Sequence, residues 1–132
     1  MLTLVQLSRE ERAKRIVERM EKRRGYAIGA GREFLAEIDP DFAEAYELLY
    51  EDVLCKDGPL PVKYKELIAM VLLAARRVDP DGHIKRALKH GATKEEIVDA
   101  FKVAMIPAGV PTMSFGLSRL KKVLDELEGE GK

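Results

Sequence analysis

An all-α fold, a single-domain bundle of about six to seven helices, is predicted by three features of this sequence. No stretch alternates apolar and polar residues at the period of a strand. Apolar residues recur instead at three- and four-residue spacing. Helix start and stop signals punctuate the chain from end to end.

Taken in order, Ser8-Arg9-Glu10-Glu11 reads as a capping box ahead of Ala13, Ile16, Val17 and Met20. Gly25 interrupts or ends that first helix. A short second segment covers residues 28–38. Asp39-Pro40 is an N-cap followed by proline at the first helical position, and the helix it opens carries Phe42, Ala45, Tyr46, Leu49 and Val53 on one face. Lys56-Asp57-Gly58-Pro59 is a turn. Pro61 starts a central helix in which residues 67–75 are apolar all round, so a full cover is expected for it from its own domain or a partner subunit. Arg76 and Arg77 close this helix at the negative end of its dipole.

Asp79-Pro80-Asp81-Gly82 repeats the Asp-Pro start, and that helix ends at His90-Gly91. Thr93-Lys94-Glu95-Glu96 is a second capping box, before Ile97, Phe101, Ala104 and Met105. Pro107 and Gly109 end or kink this helix. After Pro111 the last helix bears Met113, Leu117, Leu120, Leu124 and Leu127, a packing stripe. The organisation expected is one domain over 1–132, with an amphipathic helical arm (1–25), a core (26–127) and a frayed tail (128–132).

Composition excludes several classes of function. In 132 residues, 23 Lys and Arg balance 23 Asp and Glu. That balance argues against a nucleic-acid-binding module or a polybasic membrane anchor. No apolar run approaches the roughly 20 residues that span a bilayer, and residues 1–7 lack the features of a signal peptide. A cytoplasmic location is expected. Cys55 is alone, so no intramolecular disulfide can form; it reads as a small core or interface residue. The chain has no Asn, one Gln and 35% charged residues, a pattern of thermophilic proteins.

Few residues can carry chemistry. Glu66 lies early in the apolar central helix and His83 early in the next; a helical hairpin that joined them would place a carboxylate beside a titratable ring, a proton-transfer pair. Each also has a plain reading, Glu66 as a solvated first-turn glutamate and His83 as a surface or capping residue. His90, near a helix C-terminus, is structural. Two histidines without ligand spacing make a metal site unexpected. Gly25, Gly29 and Gly31 follow no strand, so they form no phosphate loop. Ser114 and Ser118 have no nucleophile elbow.

The run Lys65-Glu66-Leu67-Ile68, an Ala-rich apolar helix, His83, and Ala87-Leu88-Lys89-His90-Gly91-Ala92-Thr93-Lys94-Glu95-Glu96-Ile97 resembles the carboxymuconolactone decarboxylase family. Ala108-Gly109-Val110-Pro111 extends the likeness, as do Pro40-Asp41-Phe42 and Leu60-Pro61-Val62-Lys63. Together these cover about residues 16–127. The resemblance implies an alkylhydroperoxidase D-like helical fold and a homo-oligomer, a trimer or hexamer.

One branch of that family uses a Cys-x-x-Cys pair, which would fall at positions 76 and 79. Arg76 and Asp79 stand there, so the thiol peroxidase mechanism is disfavoured. The other branch lacks the cysteines and performs cofactor-free decarboxylation of a carboxylated muconolactone. By that resemblance the chain is a decarboxylase or proton-transfer catalyst on a small carboxylated lactone or keto acid. His83 and Glu66 would then be catalytic, with no cofactor or metal. Arg76 or Arg77 would pair with the substrate carboxylate. The other reading is a non-catalytic or small-ligand-binding oligomer. The Glu66-to-His83 separation, 83 − 66 = 17, is about two residues shorter than is usual in the family, and the shortening falls in residues 78–81. Such a deletion is expected to turn His83 by a large fraction of a helical turn.

Overall fold

The computed structural model describes residues 7–130 and shows an all-α chain. The expectations for residues 1–6 and for the last two tail positions lie outside the described residues. The chain forms two compact units, Met1–Lys56 and Asp57–Lys132.

The first unit holds α1 (Arg9–Arg24), α2 (Ala30–Ile38) and α3 (Pro40–Leu54), each packed on the other two. Their boundaries follow from local chemistry. The Ser8 hydroxyl accepts from the Glu11 N–H and caps α1, which stops at Gly25 in the left-handed region, φ 78°. Asp39 accepts from the Phe42 N–H with Pro40 behind it, the start that the sequence predicts. The core is Ala13, Ile16, Met20, Ala36 and Ala43, with Tyr46 against it. Beside that core the buried Arg24 guanidinium donates to Glu47 Oε1 at 2.7 Å and lies 3.8 Å from the Tyr50 ring centre. The face of α3 differs from expectation. Ala43 and Glu47 are the buried positions, while Phe42, Leu49 and Val53 are all more than half exposed. Small Ala43 allows close approach, and Glu47 is needed opposite Arg24, so the larger apolar side turns outward.

The second unit holds α4 (Val62–Ala75), α5 (Asp81–Lys89), α6 (Lys94–Ala108) and α7 (Val110–Glu130). Its core is built from Met70, Ala74, Ile84, Ala87, Ile97, Phe101, Leu120 and Val123. Thr93 and Glu96 form the full reciprocal capping box at the start of α6. Pro107 is accommodated inside that helix, which ends one residue later at Ala108 and is capped by Gly109, φ 95°. The last helix begins at Val110, ahead of Pro111, and runs to Glu130. Its buried line is Thr112, Gly116, Leu120 and Val123, rotated from the leucine stripe. Gly116 lets α6 approach closely, for a Cβ there would stand 2.3 Å from the Phe101 ring.

The central helix α4 buries one line of residues, Val62, Glu66, Met70 and Ala74, at four-residue spacing. Its opposite side is open in the chain: Ile68 is 47% exposed and Leu72 61%. The expectation of full cover is therefore not met within the chain itself. A carboxylate sits in the middle of the buried line, and that choice builds the site.

Two helix ends use the same device. At the end of α5 the Ala92 N–H bonds the Ala87 carbonyl and the Gly91 N–H the Leu88 carbonyl, with Gly91 at φ 97°. At the end of α4 the Val78 N–H bonds the Leu73 carbonyl and the Arg77 N–H the Ala74 carbonyl. Here the left-handed position is Arg77, φ 58°, where glycine is the usual choice. No helix among the described residues is long and apolar enough to cross a membrane.

Candidate active site

Glu66 enters the second unit from the first turn and a half of α4, with its side chain 1% exposed. A carboxylate so buried must be paired or hydrogen-bonded. Both of its oxygens are. Oε2 lies 2.6 Å from His83 Nδ1, and Oε1 accepts from Arg86 Nε at 3.1 Å. The two partners are three residues apart on α5, and so on one face of that helix. The His83 side chain is 16% exposed and that of Arg86 9%. Despite the shortened turn, His83 and Glu66 meet at hydrogen-bonding distance. The left-handed residue at Arg77 reverses the chain within a few residues, which makes the short connection sufficient.

The proton positions follow from the partners. An ionised carboxylate only accepts, so the ring hydrogen on this side belongs on Nδ1 and points at Glu66. Arg86 Nη2 lies 3.0 Å from the same Nδ1. A guanidinium only donates, so with the hydrogen on Nδ1 this is a contact and not a hydrogen bond, and Arg86 joins the pair through its Nε bond to Glu66 Oε1. With Nδ1 occupied, Nε2 is the nitrogen left to take up or release a proton.

The other arginines are placed differently. Arg76 is the exposed C-cap residue of α4. Arg77 folds back on that helix end, where its Nη1 donates to the Ala74 and Ala75 carbonyls and to Thr112 Oγ1. The guanidinium at the Glu66–His83 pair is Arg86, which the sequence reading missed. Its three-residue spacing from His83 was the available signal. His90 serves as the C-cap of α5.

Asp79 and Asp81, on the turn before His83, face α7. Arg119 grips Asp81 with two nitrogens, at 2.8 Å and 2.6 Å. Burial pushes the Asp81 carboxyl up, but the Arg119 hydrogen bond, with help from Asp79 and Lys122, holds it below its ordinary value of 3.8. The same bond raises the Arg119 guanidinium.

Residues 40–122 match the model of the carboxymuconolactone decarboxylase family. The chain belongs to that family. It is 30% identical over 101 residues to an uncharacterized protein of Methanocaldococcus jannaschii, covering 73% of this chain and 94% of that one. Solved structures carry the same fold. A Burkholderia xenovorans protein, provisionally named a carboxymuconolactone decarboxylase, superposes with a TM-score of 0.73 at 23% identity, over 93% of this chain and 98% of its own. A carboxymuconolactone decarboxylase family protein of Legionella pneumophila gives 0.62 at 24% identity, over 87% and 96%. A Thermotoga maritima protein gives 0.62 at 25%, over 86% and 97%. Of the pair that the resemblance marks as catalytic in this decarboxylase-family chain, both members lie in one hydrogen-bonded cluster.

Proposed function

We propose that the chain is a cofactor-independent proton-transfer catalyst acting on a small carboxylated lactone or keto acid, most simply as a decarboxylase. One observation carries this reading, the 2.6 Å contact between Glu66 and His83 in a nearly buried setting. Loss of CO2 from such an acid leaves its electron pair on carbon, delocalised into the neighbouring carbonyl, and a proton must then be delivered there. His83 is suited to deliver it from Nε2 while Glu66 holds Nδ1–H and balances the imidazolium charge. Arg86 fixes the carboxylate from its other side. Arg76, exposed at the edge of the same hairpin, would meet a substrate carboxylate more readily than Arg77, whose guanidinium is engaged.

We further propose that the working form is a homo-oligomer, a trimer or hexamer. A groove of about 370 Å3 between α4 and α6 is lined by apolar side chains, Ile68, Leu72 and Val103 among them. Apolar surface of this extent favours burial by a partner.

The test is turnover of a panel of carboxylated lactones and β-keto acids by the wild type, His83→Ala and Glu66→Gln, with light scattering for mass. Activity lowered about 100-fold or more in His83→Ala is expected from loss of a positioned acid–base. Equal turnover in all three proteins would sink the catalytic reading and leave the cluster as a stabilising element in an oligomeric scaffold.

A further inference from the structure

We propose that Asp81 and Arg119 form a positioning latch that sets the rotation of α5 and so holds His83 on Glu66. The inference rests on the proton-transfer reading of that pair. It concerns Asp81 and Arg119, which pair with each other and not with Glu66 or His83.

The helix that carries His83 is weakly determined by its own sequence. It has nine residues, below the length at which helices hold themselves, and its N-cap residue, Pro80, offers no side-chain cap. Its first N–H, from Asp81, is met from outside the helix by Asp79 Oδ1 at 2.8 Å. The Asp81 carboxylate then reaches α7, where Arg119 meets it with two parallel bonds. Arg119 Nη2 also approaches Asp79 Oδ1, at 3.3 Å, and Lys122 Nζ lies 3.6 Å from Asp81 Oδ2. A two-pronged guanidinium–carboxylate pair fixes direction as well as distance. The Asp81 side chain is 14% exposed and that of Arg119 25%, so this pair is sheltered as the surface pairs on the same helices are not.

Position makes the latch consequential. Asp81 and His83 are two residues apart, about 200° around the helix. One therefore faces α7 while the other faces α4. Two polar anchors on opposite sides, with Ile84 and Ala87 in the core between them, define the rotation of this short helix about its axis. The far anchor is firm: Leu120, beside Arg119, is 4% exposed in the core. A rotation of α5 would swing His83 Nδ1 away from a carboxylate that it now meets at 2.6 Å.

The experiment follows the His83 Nδ1–H resonance by 15N-edited NMR, with circular dichroism to show that each variant is folded. The wild type should show a slowly exchanging Nδ1 proton that disappears in Glu66→Gln. In Arg119→Gln and in Asp81→Asn that proton should be lost or broadened while helicity is retained. Arg119→Lys, which restores charge without the second prong, should recover it in part. Val123→Ala, a core truncation on α7 that leaves the latch intact, should lower stability and keep the resonance. A resonance unchanged in folded Arg119→Gln and Asp81→Asn would overturn the latch and spare the Glu66–His83 reading. Equal loss in Val123→Ala would overturn it too, by showing general loosening. Absence of the resonance from the wild type would overturn the underlying pair and the latch with it.

Discussion

Glu66→Gln is the substitution that tests the site most directly, because it keeps the size of the side chain and removes only its charge. In the wild type both carboxylate oxygens accept, one from His83 Nδ1–H and one from Arg86 Nε. An amide has one accepting oxygen and one donating nitrogen. If the oxygen stays on Arg86, the nitrogen faces His83 and forces its ring to the other tautomer, with the hydrogen on Nε2. Both hydrogen bonds are then kept, but Arg86 is left as a cation without the carboxylate beside it. Removing one member of a buried ion pair costs about 3–5 kcal/mol. Arg86 retains further interactions, so the lower end, about 3 kcal/mol, is expected. For a chain of this length that corresponds to a Tm lower by roughly 10 °C. Urea denaturation followed by circular dichroism at neutral pH gives the stability change, and 15N NMR of the imidazole gives the tautomer. The amide should also abolish most activity, since no carboxylate then balances the imidazolium that delivers the proton from Nε2. A loss below about 1 kcal/mol, the worth of an ordinary neutral hydrogen bond, together with an unchanged tautomer would refute the argument.

Three further outcomes are expected. Gly116→Ala should destabilise by about 2 kcal/mol, because the 2.3 Å approach to the fully buried Phe101 ring costs more than the roughly 1 kcal/mol gained in helix propensity; thermal melting checks it, and a stabilised variant would show that the two helices separate freely. Arg77→Gly should be more stable than Arg77→Ala by about 1 kcal/mol, since both lose the guanidinium bonds but only glycine relieves the left-handed backbone; equal melting temperatures would contradict that. Acid should weaken the fold through carboxylates held low in the native state. Glu51 is lowered by the Arg19 hydrogen bond against the opposing effect of burial, and Glu96 by the Thr93 N–H and then by Lys63. Groups lowered on folding stabilise fully above their ordinary value of 4.5, and that stability is lost as pH falls through the folded value. The stability gap between wild type and Arg19→Gln should therefore close on acidification from neutral pH, and a gap constant with pH would refute it.

How much was legible in the sequence depended on the range of the interaction. Ser8, Asp39 and Thr93 cap helices through bonds that span three residues. Such starts are written locally: the Asp39 and Thr93 starts stand as expected, and Ser8 shows the hydroxyl half of its expected capping box. Glu66 and His83 were legible through the family pattern. Arg86 was not singled out, because an arginine one turn after a histidine is ordinary on any solvated helix. Only the approach of α4 turns it into a buried partner of Glu66. The outward side of α3 was misjudged for a related reason. Phe42, Leu49 and Val53 form a good apolar stripe, yet the neighbours available to α3 in its unit suit the small Ala43 and the charged Glu47 instead.

The sequence by itself determined an all-α chain, the starts of its capped helices, the family, and the absence of the cysteine pair. Each of these depends on residue identity or on bonds that close within a turn or two. Tertiary structure decided which side of each helix is buried, that a turn two residues shorter still brings His83 to Glu66, and that Arg77 takes a glycine conformation to do it. It also placed Asp81 against Arg119, 38 residues further along the chain. Those outcomes depend on distances between helices, which no local pattern encodes and which packing alone sets.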